Sequence, residues 1–220
     1  LVSRIALIHA LPQSIAPIEA AFAALWPEAE RVNLLDDALA RDRAQSAGLT
    51  PAITARIEAL ARYAAEAGAR GILFTCSAFG PAIEKAARAL APLPVLKPNE
   101  AMIEAAAARA RALGGAVGLI ATFAPTLETM PAEFEATAPG LLVIPRLAAG
   151  ALEALAGGDA VRHDALIAEA ARALAPQVAV IALAQFSAAR AAPAAAAASG
   201  REIFTTPEAA VKKLRQRIEG

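Results

Sequence analysis

The order of local patterns constrains this chain more than any single residue. Short runs rich in Ile, Leu and Val alternate with longer Ala-, Glu- and Arg-rich stretches at helical spacing, and the series is run through twice. Arg4 to His9 (RIALIH) reads as a buried strand, followed by the loop Ala10-Leu11-Pro12-Gln13 and a helix near Ile15 to Leu25. Arg31 to Leu35 is a weaker strand. Thr50-Pro51 offers an N-cap and a first-turn proline to a helix that Gly68 closes. Gly71 to Thr75 (GILFT) is a third strand ending at Cys76, a helix opens near Pro81, and Pro94 to Lys97 is a short fourth strand. The second round has a helix at Ala101 to Leu113, a strand at Ala116 to Thr122, a helix from Thr126 and a strand at Leu141 to Pro145. It continues with a helix at Asp159 to Leu174 and a buried strand at Val178 to Leu183. The nearly all-alanine run Ala188 to Ser199 suits a helix, with Pro193 at a break or a first-turn position. Glu202 to Thr205 is a last strand and Pro207 to Ile218 a C-terminal helix.

Strands alternating with helices predict an α/β fold with mostly parallel sheets covered by helices on both faces. The repetition predicts two similar three-layer α/β halves related by a pseudo-two-fold. The N-terminal half covers residues 1–97 and the C-terminal half 98–206, with the helix at 207–220 packing back on the first. Strand C-terminal ends are then expected to face a shared cleft, the usual ligand position in such sheets.

Composition removes several function classes. Twenty-one basic residues balance 21 acidic ones, so no global field favours nucleic acid or an anionic membrane. One Cys makes no internal disulfide, and two His with one Cys make no metal-ligand cluster. Mean hydropathy is +0.47, but the charge-free stretches Ala112 to Leu127 and Ala173 to Ala189 contain Pro and fall short of the roughly 20 apolar residues of a spanning helix. The score reflects alanine. The start, Leu1-Val2-Ser3-Arg4, has no initiator Met, basic n-region or cleavage site, so a trimmed, cytoplasmic protein is expected. No GxGxxG or P-loop accompanies any strand, which leaves nucleotide binding unsupported.

The segment Thr75-Cys76-Ser77-Ala78-Phe79-Gly80-Pro81 follows a buried strand and precedes a helix. Unpaired N–H groups and the helix dipole there favour thiolate, so the Cys76 pKa is expected to fall. Thr75 and Ser77 add hydroxyl donors for a carboxylate or a developing enolate oxygen. A lone cysteine is more often a small core residue; the polar flanks tip this one toward chemistry. Pro12, Gln13 and Ser14 end the first strand over the expected cleft, Ser14 serving equally well as an N-cap.

IHALPQS, FTCSAFG, PVLKPNEAM, VGLIATFAPTLET, VAVIALAQFS and FTTPEAAVKKL, in that order, span almost the whole chain. This ordered set resembles the aspartate/glutamate/hydantoin racemase superfamily, which includes arylmalonate decarboxylase and maleate cis-trans isomerase. The resemblance implies a cofactor-independent enzyme, without metal or pyridoxal, acting on a small carboxylate or dicarboxylate. Two cysteines in such racemases, one from each half, move the α-proton on opposite faces of a carbon. Cys76 matches the first; Gln185, in Leu183-Ala184-Gln185-Phe186, stands where the second belongs. A carboxamide does not titrate near neutral pH, so two-thiol racemisation is excluded. One-sided chemistry by a single cysteine remains: isomerisation, decarboxylation or a lyase step.

The resemblance also implies that Thr122 and Thr126 bind a carboxylate, N-capping being the plainer reading, and that Asn99 lines the pocket. Glu100 reads equally as a first-turn carboxylate. His9 is a candidate second base, although a strand-end histidine is more often a hydrogen-bonded structural group. His163, between Arg162 and Asp164, is expected to face solvent. Alanine-rich helices suit close packing and family members are often dimers, so a homodimer is one assembly open to the chain. Two alternatives stand beside the enzyme reading: a silent carboxylate-binding protein that kept the cleft, and a racemase whose second base is His9 or Glu100.

Overall fold

In the computed structural model, which describes residues 2–220, the chain divides into two compact units. The first comprises Leu1–Pro98 with Pro207–Gly220, and the second Asn99–Thr206. The first unit runs β1 (Arg4–His9), α1 (Ile15–Leu25), β2 (Glu30–Leu35), α2 (Leu39–Gln45), α3 (Pro51–Glu66), β3 (Gly71–Phe74), α4 (Gly80–Ala89) and β4 (Val95–Leu96). The second runs α5 (Glu100–Ala112), β5 (Val117–Ala121), α6 (Thr126–Thr137), β6 (Val143–Leu147), α7 (Ala151–Ala156), α8 (Ala160–Leu174), β7 (Val180–Leu183), α9 (Ala192–Ser199) and β8 (Glu202–Phe204). The last helix, α10 (Pro207–Glu219), belongs to the first unit.

Each unit carries one four-stranded sheet, and every strand pair in both is parallel. The orders are β2-β1-β3-β4 and β6-β5-β7-β8, the same topology twice. Central strands β3, β5 and β7 are buried along their whole length, and β1 at all but its first residue; β2 and β6 at the edges are largely not. A central strand of a parallel sheet is covered on both faces, so its residues form a continuous apolar run rather than an alternation. Each fully buried Ile or Leu in those runs contributes roughly 1.5–3 kcal/mol relative to exposure.

The helices follow from local signals. Thr50 Oγ1 accepts from the Ile53 N–H at 3.2 Å, capping α3, with Pro51 in the first turn. Asp159 does the same for α8 through the Arg162 N–H at 2.9 Å. The alanine-rich run is a helix only from Ala192, with Pro193 in its first turn, and Phe186–Ala191 before it forms 3₁₀ turns. Its small side chains let α9 lie close on α8, and Ala191 and Ala195 join the core of the second unit. Helix α10 packs on α1, where Arg215 donates to the Leu25 carbonyl at 2.8 Å and stacks over Trp26. Gly71 permits this return: a Cβ there would lie 2.5 Å from Ile218 Cδ1. Two short helices, α2 and α7, stand where the sequence pattern shows no element, and β6 lies two residues further along than expected. Among the described residues no helix is long and apolar enough to cross a membrane.

Candidate active site

In each sheet the strand order reverses direction beside the first strand, between β1 and β3 and between β5 and β7. Connections leave such a pair toward opposite sides, which opens a crevice at their C-terminal ends. The chemistry-bearing residues stand there. Register makes the two crevices comparable position by position: Ile8 pairs with Phe74 at the end of β3, and Ile120 with Leu183 at the end of β7. The next N–H groups, of Thr75 and Ala184, donate to Ile8 and Ile120 at 3.0 and 2.9 Å. Cys76 therefore occupies in the first unit the position that Gln185 occupies in the second.

His9, the last residue of β1, is fully buried. Its Nδ1 lies 2.8 Å from Thr75 Oγ1 and its Nε2 2.8 Å from Asn33 Oδ1. Proton positions follow from the neighbours. The Glu19 carboxylate only accepts, taking Asn33 Nδ2–H at 2.9 Å and Arg31 Nε–H at 2.8 Å. Asn33 Oδ1 must then face His9, so Nε2 carries the hydrogen and bare Nδ1 accepts from Thr75. Burial holds the imidazole pKa below its ordinary 6.5, against the opposing pull of Asn33 and Glu19. The ring is neutral, with both nitrogens engaged within the unit.

Cys76 follows Thr75 and opens a 3₁₀ turn, Ser77–Phe79, that leads straight into α4. The thiol is 5% exposed. Its pKa goes the opposite way to the sequence expectation: burial raises it from 9.0 to about 11. A backbone hydrogen bond at Ala78 and the charge of Arg43 both favour thiolate, as a strand-to-helix position should, but they are outweighed. Desolvation of the enclosed thiol exceeds what one N–H and one nearby cation return. At neutral pH Cys76 keeps its proton.

Arg43 is the residue that sequence reasoning missed. It lies on α2, is only 2% exposed, and stands within electrostatic reach of the Cys76 sulfur. A signal was available: Leu39 and Ala40 lie four and three residues before Arg43, so the three share the buried face of that short helix.

Thr122 follows β5 and is buried. Its N–H and hydroxyl both donate to Gln185 Oε1, at 2.5 and 3.0 Å, so neither caps α6. Thr126 is the first residue of α6, with Pro125 in the capping position. Asn99 is buried at the start of α5, where its amide donates to the Met130 sulfur and its Oδ1 has no hydrogen-bond partner among the described residues. Glu100 is the first residue of that helix.

On the turn after β1, Pro12 is exposed, Gln13 has an enclosed Oε1 without a partner among the described residues, and Ser14 makes no capping bond. Ser77, next to Cys76 in sequence, is buried, and each of Phe79, Phe123 and Phe186 is buried within its own unit. His163 is not solvent-facing: it is fully buried, its Nδ1 2.7 Å from Asp164 Oδ1, because it begins the stripe His163, Ile167, Ala170, Ala171, Leu174 of α8. Among the described residues no cluster of His, Cys, Asp and Glu could hold a metal ion.

Residues 15–214 match the family model described as Asp/Glu/Hydantoin racemase. Solved structures share the fold. Glutamate racemase isoform RacE1 from Bacillus anthracis superposes with a TM-score of 0.75 at 12% identity, covering 97% of this chain and 82% of that one. Allantoin racemase from Klebsiella pneumoniae gives 0.70 at 21% identity over 99% and 88% of the two chains. The Gly74Cys mutant of arylmalonate decarboxylase, in its sulfate-associated form, gives 0.65 at 21% identity over 99% and 94%. None of the curated proteins matches the chain.

Proposed function

Because the chain belongs to the Asp/Glu/hydantoin racemase family, we propose that it is an enzyme acting on a small carboxylate through one thiol, Cys76, used as a proton donor. The observation that carries this reading is the state of that thiol. It is enclosed at the end of β3 with a pKa of about 11, and a group that holds its proton at working pH is an acid, not a base. It can still protonate a carbanion or enediolate, which is more basic than a thiolate.

Decarboxylation fits such a group. The C–CO₂ bond of a malonate-type acid breaks, CO₂ leaves, and the electron pair stays behind as an enediolate. The Cys76 Sγ–H proton passes to the carbon, and solvent returns a proton to the sulfur. Arg43, within electrostatic reach of the thiol, is the cation to pair with the remaining carboxylate and to stabilise the transient thiolate. The step as written calls on no metal or organic cofactor.

Gln185, at the position equivalent to Cys76, does not titrate and adds no second proton donor, so the single thiol gives a product of one configuration. Isomerisation by thiolate addition would need an ionised sulfur, which burial opposes. His9, with both ring nitrogens engaged, is assigned to positioning Thr75 beside the thiol rather than to proton transfer.

The test uses a panel of 2-substituted malonates with aspartate, glutamate and allantoin. Cys76→Ala is expected to lose all turnover while circular dichroism and the urea midpoint near pH 7 stay as in the wild type. Equal activity in that variant, or racemisation of any of these compounds by the wild type, would sink the proposal.

A further inference from the structure

The loop after β7 holds two buried hydrogen-bonding groups that the second unit does not use. Gln185 is 5% exposed and Ser187 1%, and neither Gln185 Nε2 nor Ser187 Oγ has a hydrogen-bond partner among the described residues. The carboxamide is not free to turn. One of its atoms lies 2.5 Å from the Thr122 backbone N and 3.0 Å from the Thr122 hydroxyl. A backbone N–H can only donate, so that atom is the oxygen; flipping the amide would set N–H against N–H. The NH₂ group is therefore directed away from Thr122 with both hydrogens uncommitted. Buried polar groups in native proteins are nearly always paired, and an orphaned one asks for an explanation.

The unused capacity has a definite sign. An amide NH₂ only donates and carries no charge, and a serine hydroxyl two residues on can donate as well. A metal cation finds nothing to ligate at the amide nitrogen, and a C–H finds no base. An oxygen with lone pairs to spare is what such a group takes. Polarisation of the amide by two donors on Oε1 strengthens its N–H groups toward that oxygen.

We propose that Gln185, locked by Thr122 and assisted by Ser187, binds a carboxylate or enediolate oxygen of the substrate, Thr122 acting as its positioning residue. The identification of the ligand as a small carboxylate rests on the function proposed above. The consequence is a ligand class: the loop after β7 receives an oxygen with lone pairs, such as a carboxylate, and not a cation or a carbon-bound hydrogen.

The experiment follows the side-chain amide of Gln185 by ¹H–¹⁵N NMR during titration with malonate, the resonance pair being assigned by its absence in Gln185→Glu. In the wild type and in Cys76→Ala alike, the Gln185 pair is expected to shift with malonate. Gln185→Glu keeps an acceptor for Thr122 but turns the donor into a negative charge, and malonate affinity is expected to fall by at least tenfold. Thr122→Val keeps the backbone donor and loses the hydroxyl, weakening malonate about five- to tenfold, and Thr122→Ser restores it. Gln185 signals that stay in place throughout overturn the proposal, whether or not other signals move. So does unchanged affinity in a folded Gln185→Glu, and equal weakening by Thr122→Val and Thr122→Ser removes the positioning role. Because the Gln185 shift reports binding and not turnover, a Cys76→Ala variant that remained active would overturn the proton-donor reading and leave this result standing.

Discussion

Alkylation of Cys76 by iodoacetamide decides whether the thiol is an acid or a base in waiting. Only the thiolate reacts. With a pKa of about 11 against an ordinary 9.0, the ionised fraction at pH 7 is ~10⁻⁴ instead of ~10⁻². Ionisation alone slows the reaction about 100-fold relative to a short cysteine peptide. A more basic thiolate is the better nucleophile and returns up to about tenfold, so a net slowing of about ten- to 100-fold is expected before any loss of access. Access and nucleophilicity scale the rate equally at every pH, so the shape of the profile isolates the ionisation. The rate constant should climb close to tenfold per pH unit from about pH 7 to about pH 10 without levelling. Arg43 opposes part of the burial effect, and Arg43→Gln should carry the climb to still higher pH. The measurement is mass-spectrometric alkylation kinetics under pseudo-first-order conditions. A plateau at or below pH 9 would show a thiol ionised near neutrality and refute the proton-donor assignment.

The same raised pKa is a stability statement. Its contribution is complete below the unfolded value of 9.0 and is lost as pH rises toward the folded value of about 11. Wild type should therefore lose ~1.3 kcal/mol relative to Cys76→Ala between about pH 8 and pH 10, read from urea unfolding; a constant difference counts against the buried protonated thiol. For His9 the sign reverses. A folded pKa below 6.5 means that the unfolded chain takes up the proton first, so stability falls as pH drops through that value. His9→Gln should flatten this acid limb in urea titrations, and an unchanged limb would show that His9 is not held neutral. At Gly115, an added Cβ would lie 2.7 Å from the Cβ of Ala179, two atoms with no rotamer to yield. Gly115→Ala should cost about 1–3 kcal/mol in chemical denaturation, and a neutral result would contradict that close approach.

Much of the fold is legible because parallel sheets write themselves as apolar runs. RIALIH, GILF, VGLIA and VIAL are the four central strands, and the capped starts of α3 and α8 follow from Thr50 and Asp159. Short elements escape this logic. Helix α2 (LARDRAQ) has seven residues, three of them charged, and is too short for an apolar periodicity to show, yet Arg43 is buried with Leu39 and Ala40. His163 was misplaced by its charged neighbours in sequence, which on a helix say nothing about its own face; its companions at i+4 and i+8 say that it is inside. At the site, residue types were readable but the balance of forces was not. The strand-to-helix turn does supply Cys76 with groups that favour thiolate, and only three-dimensional enclosure reveals that desolvation exceeds them. Likewise no pattern in the sequence tells that Thr122 donates to Gln185 instead of capping a helix.

The central claim is that Cys76 delivers one proton to one face of a carbanion. Turnover of prochiral 2-methyl-2-phenylmalonate in D₂O tests it most directly, since the thiol exchanges with solvent and labels whatever it protonates. The account predicts a monocarboxylate with one deuterium on the α-carbon and a single configuration, formed by the wild type and not by Cys76→Ala. A racemic product, or the same labelled product from Cys76→Ala, would contradict it.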